Sequence, residues 1–283
     1  IQYGPYRGGT EGMDVTTSVG LPMSAVHGSS LKSAYIEHQN AGNSVIKTWK
    51  TTDQTTDLLV HIGQLQDILA YGHVPICPFK GSLKAELVSA PEDKARLFCA
   101  GGIDLQVLTT QYYGTFAAAV KKWHAQMECQ VGVDPIRTLG NVWNRMLAID
   151  GEFICIDFNR WDKLLPAAVV ELVSQAVIAI MLSDYKPVPT MSREQLENTI
   201  TGLMKANTIP VMSVQGVIYF NRRGLPSGSF MTTWMNSLCN SLLSAAVVTI
   251  WQDQNNLTII RNSRTFHENW VEANYGDDKV FVV

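Results

Sequence analysis

Apolar side chains recur at helical spacing in several stretches of this chain and alternate with polar ones in others. Leu58, Ile62, Leu65, Ile68 and Leu69 share one face of a helix predicted from Asp57 to about Tyr71, where Gly72 and Pro75 stop it. Residues 104–126 also read as helical. In the run from Leu164 to Leu182, Val169, Val170, Val173, Val177, Ile180 and Met181 fall on one helical face, while Pro166, Glu171 and Gln175 interrupt it. That pattern predicts an amphipathic core helix rather than a membrane span. Glu152 to Asp157 alternates branched apolar residues and reads as a strand that ends on an acid. Val214 to Phe220 reads as another strand, Asn221 to Gly224 as a turn, and residues 229–250 as a long helix. Trp270 to Val283 has the pattern of a hairpin whose turn is Tyr275-Gly276-Asp277-Asp278. The first forty-odd residues, rich in Gly, Ser and Thr, predict irregular structure with short turns. Residues 183–210 form a polar stretch, and no internal repeat or low-complexity tract is present.

Composition narrows the class. With 283 residues, 46% of them hydrophobic and 17% charged, the chain can bury a large core. A formal net charge of -3 excludes a generally basic surface, so any nucleic-acid site must be a local groove. Cys77, Cys99, Cys129, Cys155 and Cys239 form no CxxC pair and have no His at zinc-finger spacing, which predicts free thiols in a reducing compartment. The Asn256-Leu-Thr258 sequon is then expected to stay unglycosylated. Ile1-Gln-Tyr-Gly4 is neither an initiator Met nor a signal peptide, and Val283 falls inside an apolar run, so both ends read as cut.

Three segments carry candidate chemistry. Asp157 closes one strand, and Asp277 and Asp278 sit in a hairpin turn; two adjacent strands can aim such carboxylates at one point. Carboxylates so placed can clamp divalent cations for phosphoryl transfer, although Gly-Asp-Asp alone is also a plain turn sequence. Pro226-Ser227-Gly228 reads as a flexible loop with a hydroxyl and an unhindered backbone able to approach a ligand closely. Thr232 and Asn236 follow four apart on one helix face, where Asn236 can bond Asp162 and the pair can sense a ribose 2′-hydroxyl. The bland alternative is that Ser227 or Ser229 simply caps that helix. Lys84, Lys94 and Arg96, in a basic segment, can hold a triphosphate or can be a solvated loop.

Taken in order, these segments resemble the RNA-dependent RNA polymerases of picornavirus-like positive-strand RNA viruses. Asp157-x4-Asp162 resembles polymerase motif A, Ser227-Gly228-x3-Thr232-x3-Asn236-Ser237 motif B, and Tyr275-Gly276-Asp277-Asp278 motif C. Lys84-Ala-Glu-Leu87 with Lys94-Ala-Arg96 resembles motif F, with Ala85 and Val88 where the family commonly has Asp and Arg. Thr17-Ser-Val-Gly-Leu-Pro22 and Val131-Gly-Val-Asp-Pro135 resemble two further family elements.

The resemblance implies an α+β right-hand polymerase fold: a palm with an antiparallel sheet plus fingers, the thumb and motifs D and E being absent. It divides the chain into fingers (1–145, motif F at 84–96), palm with motif A (146–185), a fingers insertion (186–213) and palm with motifs B and C (214–283). It further implies template-directed RNA synthesis in viral genome replication, by nucleotidyl transfer from NTPs to an RNA 3′ end with two Mg²⁺ or Mn²⁺ ions. Asp157, Asp277 and, in support, Asp278 would be the catalytic metal ligands. Lys84, Lys94, Arg96, Asp162, Ser227, Gly228, Thr232 and Asn236 would bind the nucleotide. The partners it implies are an RNA template, a primer or product strand, NTPs, a protein primer and other viral replication proteins, with no transmembrane segment. The expected location is the host cytoplasm, in membrane-associated replication complexes. The 283-residue chain by itself is expected to be inactive. A reverse transcriptase would share Tyr-x-Asp-Asp but lack the Asn236 partner; a non-catalytic RNA-binding module or a capsid protein would leave the ordered acids without a role.

Overall fold

The computed structural model describes residues 13–29, 31–41, 44–84, 96–158, 161–183, 190–256 and 270–282, with the backbone alone at 38–41, 44–46, 84, 96 and 162. The chain forms two compact units: residues 1–115 with 178–230, and residues 116–177 with 231–283.

Along the chain, α1 (Met23–Val26) and a 3-10 turn (Lys32–Ala34) precede a hairpin of β1 (Ile36–Ala41) and β2 (Ser44–Trp49). The hairpin departs from the irregular structure expected there, because the Glu37-His-Gln-Asn40 core of β1 offers no apolar alternation to read. α2 (Asp53–Ala70) starts before Asp57 because Thr52 caps it: the Thr55 N–H donates to Thr52 Oγ1 at 3.2 Å. Leu58, Ile62, Leu65 and Leu69 are buried as expected, whereas Ile68 is 40% exposed and falls off the face. β3 (Pro78–Lys84) and β4 (Arg96–Ala100) follow, then α3 (Ile103–Lys122), which ends before a separate 3-10 turn at His124–Gln126.

α4 (Leu139–Leu147) leads into β5 (Phe153–Ile156), and α5 (Trp161–Leu164) and α6 (Ala167–Ser183) are parted by Pro166. Val170, Val173 and Val177 are the buried face of α6, and Ile180 is exposed instead. The polar stretch contains α7 (Arg193–Thr208), opened by a reciprocal capping box between Ser192 and Gln195. The strand expected from Val214 to Phe220 is two, β6 (Val211–Val214) and β7 (Val217–Phe220), because Gln215 and Gly216 take φ of 49° and 83° and reverse the chain. α8 (Thr232–Gln254), β8 (Val271–Tyr275) and β9 (Asp278–Val282) complete the order.

In the first unit the sheet order is β4-β3-β6-β7, with β3 parallel to β6 and the other pairs antiparallel. α2 packs against α7, and a Cβ at Gly202 would come within 2.5 Å of the end of the Leu69 side chain, which would have to shift to admit it. The second unit holds a three-stranded antiparallel sheet, β5-β9-β8. Val282 joins Val142 and Met146 of α4 in a buried cluster, with Val271, Ala273 and Val280 against it. The sheet's other side meets α8, where Asn274 bonds Ser241. None of the five cysteines forms a disulfide; Cys155 is exposed and the other four are buried. Among the described residues no helix is long and apolar enough to cross a membrane.

Candidate active site

Strand pairing brings the acids of the second unit together. Ile156, the last residue of β5, pairs with Lys279 of β9, so Asp157 follows directly beyond the end of β5, at the end of the sheet where Asp278 begins β9. Tyr275 pairs with Asp278 across the two-residue turn Gly276-Asp277. Gly276 takes φ of 69°, as the first central position of a primed hairpin turn requires. Asp157 and Asp278 are exposed and line one cavity of about 830 Å³, walled by Val142, Trp143 and Met146 of α4 and by Ala273 and Val280 of the sheet. Acids more than a hundred residues apart in sequence thus meet at one end of one sheet.

Among the described residues no three His, Cys, Asp or Glu side chains gather closely enough to enclose an ion. Asp157 and Asp278 border an open cavity instead. Mg²⁺ keeps several waters and is commonly held by one or two carboxylates plus substrate phosphates, so an open carboxylate pair suits it.

The turn that carries Asp277 is held by α8. The Gly276 N–H donates to Ser237 Oγ at 2.8 Å, and Asn240 Nδ2 donates to the carbonyls of Gly276 and Asp277, both at 3.3 Å. Ser237 and Asn240 are fully buried. Beneath them Lys279 Nζ lies 3.0 Å from Glu272 Oε2 and also donates to the Asn240 carbonyl at 3.3 Å. Burial pulls the Lys279 ammonium below its usual range, and the Glu272 charge pulls it back up. Glu272 also accepts from Asn274 Nδ2 and Trp270 Nε1, each at 2.9 Å. Sequence reading placed Ser237 in motif B without a role and missed Asn240, Glu272 and Lys279. A signal was available: Ser237, Asn240, Ser241 and Ser244 recur at helical spacing along one face of α8.

Thr232 opens α8 and Asn236 lies one turn on, 7% exposed, with its Oδ1 buried and unpartnered among the described residues. Asp162 lies on α5, and the bond expected between it and Asn236 lies outside the described residues.

Ser227 and Gly228 belong to the first unit, and neither Ser227 nor Ser229 caps α8, whose N-cap is Met231 with no side-chain bond. Their hydroxyls are committed elsewhere. Ser227 Oγ accepts the Cys99 N–H at 3.1 Å, and Ser229 Oγ donates to Asn207 Oδ1 at 2.6 Å, with Asn207 in turn donating to Thr109. The backbone at Gly228, expected from the sequence to be unhindered, is closed in instead. Gly228 bridges Ala100 of β4, and a Cβ there would lie 2.2 Å from the Cys99 carbonyl oxygen. Of the basic residues, Lys84 and Arg96 are Cα partners in the β3–β4 hairpin; Lys94 lies outside the described residues.

Comparison with known proteins follows the same outline. The chain is 25% identical over 193 residues to the RNA1 polyprotein of broad bean wilt virus 2, spanning 68% of this chain and 10% of the polyprotein. It is 23% identical over 215 residues to the genome polyprotein of bovine enteric calicivirus NB, spanning 76% of this chain and 9% of that polyprotein. The fold resembles the solved Sicinivirus 3Dpol RNA-dependent RNA polymerase, with a TM-score of 0.70 and 19% identity over 97% of this chain and 51% of that one. The chain therefore spans about half of that polymerase and about a tenth of the polyproteins. Its mixed helix-and-sheet architecture is that of a partial right-hand polymerase. A model of the viral RNA-dependent RNA polymerase family matches residues 7–283, and the chain belongs to that family.

Proposed function

We propose that the protein containing this chain synthesises RNA on an RNA template, adding nucleotides from NTPs to a 3′ end during viral genome replication. The observation that carries this reading is that Asp157, just past the end of β5, and Asp278, at the start of β9, line one cavity at one end of the sheet, beside the turn bearing Asp277. Asp157 and Asp277 would hold Mg²⁺ or Mn²⁺, with Asp278 in support. When bound, two such cations supply positive charge to the entering and leaving oxygens of phosphoryl transfer. The remaining roles fall to the chain. Asn236 and Asp162 would receive the ribose 2′-hydroxyl, with Thr232 on the same helix face. Lys84, Lys94 and Arg96 would neutralise the triphosphate. Ser227 and Gly228, docked on β4, would present the loop before α8 in one fixed position, which favours orientation of the substrate. The wider reading places the protein with a protein primer and other replication proteins, in membrane-associated complexes of the host cytoplasm.

The test is single-nucleotide incorporation by the full-length polymerase on matched RNA and DNA templates, with NTPs and dNTPs. RNA-templated NTP addition that requires Mg²⁺ or Mn²⁺ is expected. DNA-templated dNTP addition, or a pure sample that binds RNA without adding nucleotides, would overturn the proposal.

A further inference from the structure

A two-residue hairpin turn closes on its own backbone and normally turns its tip toward water. The turn at Gly276-Asp277 does otherwise. Ser237 takes its N–H at 2.8 Å, and one amide group, Asn240 Nδ2, reaches two successive carbonyls at 3.3 Å each. The backbone of the residue that carries the Asp277 carboxylate is thus fixed from outside the hairpin, by a helix. Asn240 serves this contact at some cost in stability: its Oδ1 is buried with no partner among the described residues, and an unmade buried hydrogen bond is destabilising.

Asn240 is itself held. Lys279, 1% exposed at its side chain, donates to the Asn240 carbonyl and pairs with the fully buried Glu272. The remaining capacity of Glu272 is filled by Asn274 and Trp270, and Asn274 reaches back to Ser241 on α8 at 2.7 Å. A buried ion pair is a poor device for stability alone, since an apolar pair of similar volume often does as well. It is a good device for fixing one geometry.

We infer that Asn240 is a positioning residue for Asp277, and that the buried Lys279–Glu272 pair holds Asn240 in that role. The inference rests on the polymerase reading for the role of Asp277, but not for the contacts themselves. Ser237 completes the clamp.

The experiment uses the full-length polymerase carrying Asn240→Ala and, separately, the charge-neutral double change Glu272→Gln with Lys279→Met. The double change leaves no unpaired buried charge, so it keeps a folded protein to measure if Asn240→Ala does not fold. Amide hydrogen exchange at Gly276 and Mn²⁺ binding by proton relaxation are read without substrate. The Gly276 amide is expected to exchange at least about ten-fold faster in both variants, as a locally opened turn does, with weaker Mn²⁺ binding. Displacement of a metal ligand by about 1 Å should lower kcat about 100-fold in Asn240→Ala, while KM for NTP stays within about 3-fold. Unchanged Gly276 exchange and Mn²⁺ binding in a folded variant would overturn the inference. So would a loss of kcat that vanishes when the assay is cooled below the variant's melting range, which marks stability alone. A wild-type enzyme with a protected Gly276 amide that adds no nucleotide would instead refute the polymerase reading, and the exchange and Mn²⁺ comparisons would still decide the role of Asn240.

Discussion

Replacing Gly228 by alanine should be among the most damaging single-methyl changes in this chain. The added Cβ would lie 2.2 Å from the Cys99 carbonyl oxygen and 3.0 Å from Ala100 Cα, both backbone atoms of a paired strand that cannot swing aside. Relief needs a movement of about 1 Å, since non-bonded heavy atoms settle near 3.5 Å. That movement breaks the Ala100–Gly228 bridge and the bond from the Cys99 N–H to Ser227 Oγ, worth about 1 kcal/mol each. Overpacking strain adds about 1–3 kcal/mol, for a total of about 3–5 kcal/mol. In a domain of this size that lowers Tm by about 10 °C. Because the proposed function gives this loop a part in orienting the substrate, a displacement of about 1 Å should also lower kcat about 100-fold. The assay is a thermal melt and single-nucleotide incorporation on the full-length polymerase. Gly140→Ala provides the contrast, for its Cβ meets nothing within 4 Å and it sits inside α4. That change should leave Tm level or raise it by about 1–3 °C through helix propensity. If Gly228→Ala melts within about 2 °C of wild type and keeps kcat within about 3-fold, the close packing of this loop on β4 is not what the geometry says.

Asn236→Ala should shrink the NTP-to-dNTP preference about ten-fold, roughly 1.4 kcal/mol, while slowing correct NTP addition less; matched incorporation rates check it, and an unchanged ratio would make Asn236 a helix residue only. The bond from His61 to Asp104, at 3.1 Å, raises the His61 pKa against the opposing effect of burial. A raised folded-state pKa stabilises fully below the ordinary value of about 6.5, and the gain is lost as pH rises through the folded value. Wild-type Tm should therefore fall between about pH 6 and 8 relative to His61→Gln, and parallel pH profiles would remove this pair from the account.

Elements with a strong period were legible in the sequence, and so was the ordered set of acids. α2 and α6 announced themselves by their apolar faces, and the β8–β9 hairpin by its Gly-Asp turn. α7 was hidden because its buried face uses Thr199, Gly202, Ala206 and Asn207 beside few large apolar residues, so its hydropathy reads as a loop. Its capping box, Ser192 with Gln195, stood in the sequence as the better signal. β6 and β7 merged into one strand because Gln215 is an uncommon residue at positive φ and gives no turn warning. Neither the loop reading of Ser227 nor the helix-cap alternative shows where the hydroxyls of Ser227 and Ser229 go, because their partners, Cys99 and Asn207, are distant in sequence. The clamp of Ser237 and Asn240 on the Gly276-Asp277 turn is long-range in the same way. Spacing names the face of a helix; only the fold names what that face meets.

The central claim is that Asp157 and Asp277 hold the cations on which nucleotide addition depends. It is tested most directly by substituting Asp157→Asn and Asp277→Asn in the full-length polymerase, measuring single-nucleotide incorporation across Mg²⁺ and Mn²⁺ concentrations alongside a thermal melt. An amide keeps the shape and removes the charge, so each variant should melt near the wild type and lose incorporation by about 10³-fold or more, roughly 4 kcal/mol of transition-state stabilisation. Incorporation within a few-fold of wild type by either variant, at the same metal concentrations, would contradict the account.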